Sequence, residues 1–315
     1  MATITLRPVA DISIRHKKYE NGESSSASAY TLIDDVVSDE AATTIGQAHH
    51  STSLTSLTSS FKLGGASYNH KIFINSITIY YDYWCNNPAK NGKMTSIGIT
   101  KAITVNGVKS SGLRASISDV NTESDSGSWK MLNTVFTSNN FPELSKVFDS
   151  IDAMNLQIEI ATEWKCGAST VTQDQHLYIS QVYVVVDYTD AYEFTAIGNE
   201  TTDVVFMGMV RDGSTVYFEA MPKINHRFLG WFSDSACTQQ VSTDLSYAVV
   251  VNGADKTLYA NSKRIEAINV YYKKNGTWDL VQNLYIKENG QYISISSQEF
   301  GNQLYFSERS YLMPQ

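Results

Sequence analysis

The chain has 315 residues and a formal net charge of −8. That length allows two or three domains, and the sign is wrong for a nucleic-acid footprint, which needs clustered Lys and Arg. Hydrophobic residues make up 42 % and charged residues only 18 %, so cores can form, and a remainder rich in Ser, Thr, Asn, Gln and 19 Tyr favours β-structure.

The densest basic run, Arg15-His16-Lys17-Lys18, reads as a solvated strand end. No apolar run reaches the roughly 18 residues of a membrane span. The N-terminal stretch alternates and lacks the continuous apolar segment of a secretory signal. Cys85, Cys166 and Cys237 lie far apart with no C-x-x-C spacing, so neither a zinc knuckle nor a disulfide framework is expected. Thiols of this kind fit folding in a reducing cytoplasm, and a Cys85–Cys166 bond stays open.

Residues 1–190 are expected to form one β-sandwich. Thr3 to Arg7 and Asp11 to Arg15 alternate as half-buried strands do. Tyr30 to Val37 reads as a strand leading into an acidic turn, Asp34 to Glu40, and Ser51 to Ser60 alternates weakly. Lys71 to Trp84 predicts a strand pair, with Phe73, Asn75, Ile77, Ile79, Tyr81 and Tyr83 on one parity. Breaks are expected at Asn86-Asn87-Pro88 and Asn91-Gly92. Ile97 to Val105 predicts a strand that ends at an Asn106-Gly107 hairpin turn.

A polar loop is expected at 119–128. Leu144, Val147, Phe148 and Ile151 fall at i, i+3, i+4 and i+7, which predicts a helix over Phe141 to Met154. Leu156 to Trp164 and His176 to Tyr188 are then strands, the second long and central. One helix in a strand-rich domain of this length predicts a jelly-roll-like sandwich.

Residues 191–262 predict a second module of short strands: Val204–Val210, Thr215–Ala220, Phe228–Phe232, Ser246–Val251 and Thr257–Ala260. Turns are expected at Asp212-Gly213, around Pro222 and at Asn252-Gly253, and Trp231 is expected in the core. Residues 263–315 contain an internal repeat. Tyr271-Tyr272-Lys273-Lys274-Asn275-Gly276-Thr277-Trp278 matches Tyr285-Ile286-Lys287-Glu288-Asn289-Gly290-Gln291-Tyr292. Each copy predicts a hairpin with an Asn-Gly turn, with Trp278 and Tyr292 as packing contacts.

Little in the sequence carries chemistry. His49 and His50 are adjacent, so a strand would point them to opposite faces, and no further metal ligand sits at ligand spacing. Asp34, Asp35, Asp39 and Glu40 could hold Ca²⁺, but a solvated acidic turn accounts for them. Glu159 and Glu163 share a strand face and Asp187 lies on another expected central strand, and charged strand ends account for them as well as a glycosidase pair would. No serine-hydrolase, zincin or phosphate-loop motif occurs, so no catalytic residue, metal or cofactor is expected. The binding candidate is Tyr80, Asp82 and Trp84, which alternate onto one face. Aromatic rings stack on the apolar faces of sugars, and a carboxylate accepts hydroxyl protons.

Three resemblances join these readings. The segment 204–261 resembles the internalin B-repeat, or Listeria–Bacteroides repeat. It does so through Gly213-Ser214-Thr215-Val216, Ala220-Met221-Pro222, Phe228-Leu229-Gly230-Trp231-Phe232-Ser233-Asp234 and Thr257-Leu258-Tyr259-Ala260. It departs at Asn225-His226-Arg227, where the family usually has a Gly-Tyr pair. The resemblance implies a β-grasp-like fold found on surface and phage virion proteins. The tail copies are similar to Tyr-x-Lys-x-Asn-Gly-x-Trp repeats at the ends of phage structural proteins. Thr3 to Ser13 and Gln181 to Tyr188 resemble the first and last strands of Gram-positive phage virion proteins.

The expectation is therefore a mainly β chain: a jelly-roll-like β-sandwich, a small β-grasp-like module and a C-terminal β-hairpin repeat tip. It implies a non-enzymatic phage virion structural protein, displayed as an accessory or fibre after assembly in the host bacterial cytoplasm. Its partners would be other capsid or tail proteins and copies of itself, without nucleic acid or membrane insertion. A module binding host cell-surface glycans is the alternative, and a depolymerase comes third.

Overall fold

The computed structural model describes residues 2–20, 23–34, 43–49, 55–86, 94–116, 129–166, 175–224, 226–264, 271–274, 277–280, 284–288 and 291–295. The expected loop at 119–128, the turns at 87–88 and 91–92, residues 35–40 of the acidic turn, residues 51–54, Asn225 and His50 lie outside them. So do the side chains of His49, Trp164, Cys166, Trp278 and Tyr292. The chain is mainly β and divides into two compact units, Met1–Ala191 and Tyr192–Gln315.

The first unit is built from β1 (Ala2–Ser13), β2 (Lys17–Glu20), β3 (Glu23–Ser24), β4 (Thr43–His49), β5 (Thr55–Gly64), β6 (Ile72–Asn86) and β7 (Met94–Val105). It continues through β8 (Val108–Lys109), β9 (Leu113–Ser116), β10 (Lys130–Phe136), β11 (Val147–Phe148), β12 (Gln157–Cys166) and β13, which spans Gln175–Gly198. In one sheet β13 pairs with β6 on one side and with β4 and β1 on the other, and β6 carries β10 and β11. In the second sheet β12 lies between β5 and β7, with the later half of β1 beside β5 and β9 beside β7. From β4 to β7 the chain changes sheet at every strand, and it does so again from β11 to β12 to β13. This alternation makes the sandwich jelly-roll-like.

Three local expectations are corrected. The expected pair over Lys71–Trp84 is one strand, β6, whose partners are β13 and β10. Its core face is Ile72 and Ile74, then Ile77, Ile79, Tyr81 and Tyr83. The phase changes because Asn75 is an extra residue between the pairs Ile74↔Tyr188 and Ser76↔Asp187. The Asn75 amide holds this bulge by donating to Asp187 Oδ1 and Thr189 Oγ1 at 3.1 and 3.0 Å.

The expected helix over Phe141–Met154 is instead a 3₁₀ turn at Pro142–Ser145, the short β11 and a second 3₁₀ turn at Asp152–Met154. Leu144, Phe148 and Ile151 still reach the core, Leu144 and Ile151 from the two turns and Phe148 from β11. Pro142 opens the first turn and Asn155, at φ 46°, ends the second. At Ala29–Leu32 the expected strand is a 3₁₀ turn, because the Asp11 carboxylate accepts the amides of Ala29 and Tyr30 at 2.8 and 2.7 Å. This turn fills the gap between β4 and β1 along β13, and Ile33 O accepts the Val182 amide. Cys85 is buried and not disulfide-bonded, in keeping with the expected lack of a disulfide framework.

Two polar groups sit inside the sandwich. Lys101 of β7 is fully buried and donates across the core to Tyr81 Oη of β6 at 3.0 Å and to Ile99 O at 2.8 Å. Its ammonium also lies over the Tyr81 ring. Burial pushes the Lys101 pKa down to about 8 and pushes the Tyr81 hydroxyl up. His16 is buried, with Nδ1 2.7 Å from Ser59 Oγ of β5 and Nε2 2.8 Å from Thr162 Oγ1 of β12.

In the second unit, residues Phe194–Gly198 at the end of β13 run parallel to β20 (Lys256–Arg264). The unit also contains β14 (Thr202–Val205), β15 (Met207–Arg211), β16 (Thr215–Pro222), β17 (His226–Phe232), β18 (Gln240–Ser242) and β19 (Ser246–Val250). Strand β20 pairs with β17, which in turn pairs with β18, and β14-β16-β19 form a separate three-stranded sheet. The core centres on Trp231, fully buried and 5.7 and 5.9 Å from the rings of Phe218 and Phe228. Gly230 before it has φ 145°, and a Cβ there would lie 2.5 Å from Ser242 O, so only glycine fits this corner. In the tail β21 (Tyr271–Lys274) pairs antiparallel with β22 (Thr277–Leu280) and β23 (Leu284–Glu288) with β24 (Gln291–Ile295), and the expected Asn-Gly turns at 275–276 and 289–290 lie outside the described residues.

The Lys101 contact predicts unequal substitutions. Tyr81→Phe removes an acceptor from a buried ammonium and should cost about 1–3 kcal/mol. Lys101→Met should be neutral or stabilising by about 1–4 kcal/mol. Denaturant midpoints check both, and the order reverses if the lysine is a net stabiliser.

His16 predicts acid sensitivity. Burial lowers its pKa from 6.5 to about 4, so between these values the unfolded chain binds the extra proton. Stability from this group is present above pH 6.5 and is lost as pH falls towards 4, by up to about 3 kcal/mol. His16→Asn should flatten the dependence of urea midpoints on pH across this window. An unchanged slope would show that His16 does not set it.

Candidate functional site

Strand alternation puts Tyr80, Asp82 and Trp84 on the outer face of the first sheet, opposite the core residues Tyr81 and Tyr83. The neighbouring strand completes the face. Tyr183 of β13 pairs with Tyr80, and Tyr178 with Trp84. The Tyr80 and Tyr183 rings are stacked, 4.8 Å between centroids and 9° between planes. Trp84 and Tyr178 are stacked at 5.6 Å and 21°. Such cross-strand pairs stabilise a sheet by about 0.5–1.5 kcal/mol each beyond the area they bury, so the stacks serve the fold as well as any ligand.

The surroundings fix these rings. The Arg7 guanidinium lies over the Tyr183 ring, 5.3 Å from its centroid, and Nη1 donates to Asp34 O. Tyr183 Oη donates to Met131 Sδ on β10 at 3.8 Å. Tyr178 leans over Gly46 of β4, where a Cβ would collide with the ring and with Leu177 O. Asp82 lies between the two stacks along β6 and is only 7 % exposed. Burial, then Tyr80 and Asp82, raise the Tyr183 pKa, and Arg7 opposes them.

Sequence reasoning found the β6 half of this face and missed Arg7, Tyr178 and Tyr183. The signal for the tyrosines was present but out of phase, since Tyr178 and Tyr183 are an odd number of residues apart. One extra residue at Ser180-Gln181, between the pairs Ile179↔Tyr83 and Val182↔Tyr81, brings them to one face.

The other candidates have structural roles or fall outside the described residues. Glu159 pairs with Lys109 at 2.6 Å and Glu163 with Arg114 at 3.0 Å, and Asp187 accepts from Asn75. Asp34 contributes its backbone carbonyl to Arg7. Among the described residues no group of three or more His, Cys, Asp and Glu could hold a metal ion. None of the described helices is long and apolar enough to cross a membrane.

No family model matches the chain, and no curated protein matches it. Among solved structures it is weakly similar to TmCBM61 in complex with β-1,4-galactotriose. The identity is 7 % over 47 % of this chain and 74 % of that one, with a TM-score of 0.27. It is also similar to dimeric latent PorU from Porphyromonas gingivalis, with 10 % identity and a TM-score of 0.23. That match covers 80 % of this chain and 19 % of PorU.

Arg7→Met should raise the Tyr183 pKa further, because it removes the one charge that favours tyrosinate. Absorbance titration of the variant against Arg7→Met/Tyr183→Phe isolates the ring concerned. A fall in that pKa would place the guanidinium elsewhere in solution.

Proposed function

We propose that this chain is a structural, non-enzymatic component of a phage virion, displayed on the particle surface in several copies, and that the outer face of β6 and β13 binds saccharide. The observation that carries the binding role is the pair of aromatic stacks flanking Asp82. Flat rings offer surface to the apolar face of a sugar, and a carboxylate accepts its hydroxyls. A non-catalytic role is supported by the engagement of Glu159, Glu163 and Asp187 in ion pairs and hydrogen bonds of the fold.

The virion role draws on the two segments that resemble phage virion proteins. These are hydrogen-bonded neighbours, with Ile4 of β1 opposite Val186 of β13, so the resemblance falls on one piece of structure. On a symmetric particle, many weak contacts of one face would add up to avidity.

Two measurements test the two parts. Cryo-electron microscopy of particles carrying this chain should find it on a symmetric lattice, and its absence from any particle would refute the virion role. A glycan array should give binding that Trp84→Ala abolishes. Binding that Trp84→Ala leaves intact would move the site away from this face.

A further inference from the structure

Building on the saccharide reading above, we infer that the ligand is a neutral, extended oligosaccharide that touches both aromatic stacks at once, with Asp82 accepting a hydroxyl between them. A single sugar or an acidic polysaccharide does not fit this face. Tyr80 and Trp84 stand four positions apart on one strand, about 13 Å at the ordinary rise. A pyranose ring covers one aromatic ring and cannot reach the other. Because both stacks lie along β6, the ligand runs along this strand as a chain.

Asp82 is on the same face, midway between the stacks, and more than nine-tenths covered. An ionised carboxylate only accepts hydrogen bonds. A ligand hydroxyl donates to it, whereas a ligand anion close by would be repelled, since like charges at short range near a protein surface are only weakly screened. Arg7 offsets this only in part, since at the Tyr183 ring its charge acts less strongly than that of Asp82. The net charge of −8 acts in the same direction.

Strand β10 forms a shoulder beside β6. Register places Met131 opposite Asp82, Asn133 opposite Tyr80 and Val135 opposite Thr78. Met131 is 51 % and Val135 44 % exposed. Apolar side chains alternating with an amide suit the C–H faces and hydroxyls of a sugar chain that continues past Tyr80.

The test uses the full chain on an array of neutral and anionic glycans. Calorimetry then follows with the best-binding glycan and its fragments down to the monosaccharide. Affinity should rise at least about tenfold from the monosaccharide to a fragment that reaches both stacks. Tyr80→Ala and Trp84→Ala should each erase that gain. Asp82→Asn, which keeps the shape, should weaken binding about tenfold without moving the melting temperature. Tyr80→Phe, which keeps the stack, should bind nearly as well, so that a folding defect in the alanine variants cannot mimic the result.

Equal affinity for the monosaccharide overturns the inference and leaves the saccharide reading standing. So does a preference for anionic glycans that Asp82→Asn strengthens. An array with no binding overturns the saccharide reading itself.

Discussion

The β6–β13 ladder governs both the core and the outer face of the first unit, and it does so through two single-residue bulges. A strand has a side-chain period of two, so one extra residue exchanges inside and outside for everything beyond it. On β13 the bulge at Ser180-Gln181 lets Leu177 and Ile179 share the core with Val182, Val184 and Val186. The same step turns Tyr178 and Tyr183 outward together. On β6 the bulge at Asn75 does the equivalent for Ile72 and Ile74 relative to Ile77 and Ile79. The aromatic face is thus the outer consequence of the register that builds the interior.

Strand content was legible in the sequence because its signals are local. Alternation marked β6, β12 and β13, and the Asn106-Gly107 turn has the positive φ values, 50° and 80°, that its residues favour. The Gly230-Trp231 corner is as buried as its large side chains imply. What misled were patterns that two structures can satisfy. Leu144, Val147, Phe148 and Ile151 have helical spacing, yet two turns and the short β11 bring three of them to the same core, and Pro142 sets the first turn.

The site was half legible for a different reason. Tyr80, Asp82 and Trp84 are spaced by two and declare their common face. Tyr178 and Tyr183 depend on a bulge that no local residue preference announces. Arg7 depends on a strand far away in the sequence. The capping of Ala29 and Tyr30 by Asp11 is equally long-range, which is why a strand was expected there.

Polar groups inside the sandwich show how its two sheets are tied. Lys101 reaches from one sheet to a tyrosine of the other, and His16 joins two neighbouring strands of one sheet through hydroxyls. Neither is an economical way to gain stability, since buried charge and buried imidazole both carry desolvation costs. Directional bonds between named strands do, however, discriminate against alternative registers, a property that greasy contacts lack.

The first and last strands of the sandwich have a consequence for how the molecule is made. Ala2–Leu6 hydrogen-bonds to Val184–Tyr188, and Arg7–Ser13 crosses to the other sheet to join β5. On the ribosome the opening strand must therefore wait for nearly the whole unit before its partner emerges. Closure is correspondingly non-local and slow. In the interval, a strand bearing Ile4 and Leu6 offers unpaired backbone to neighbouring nascent chains, so crowding during synthesis bears on yield as much as the stability of the finished fold does.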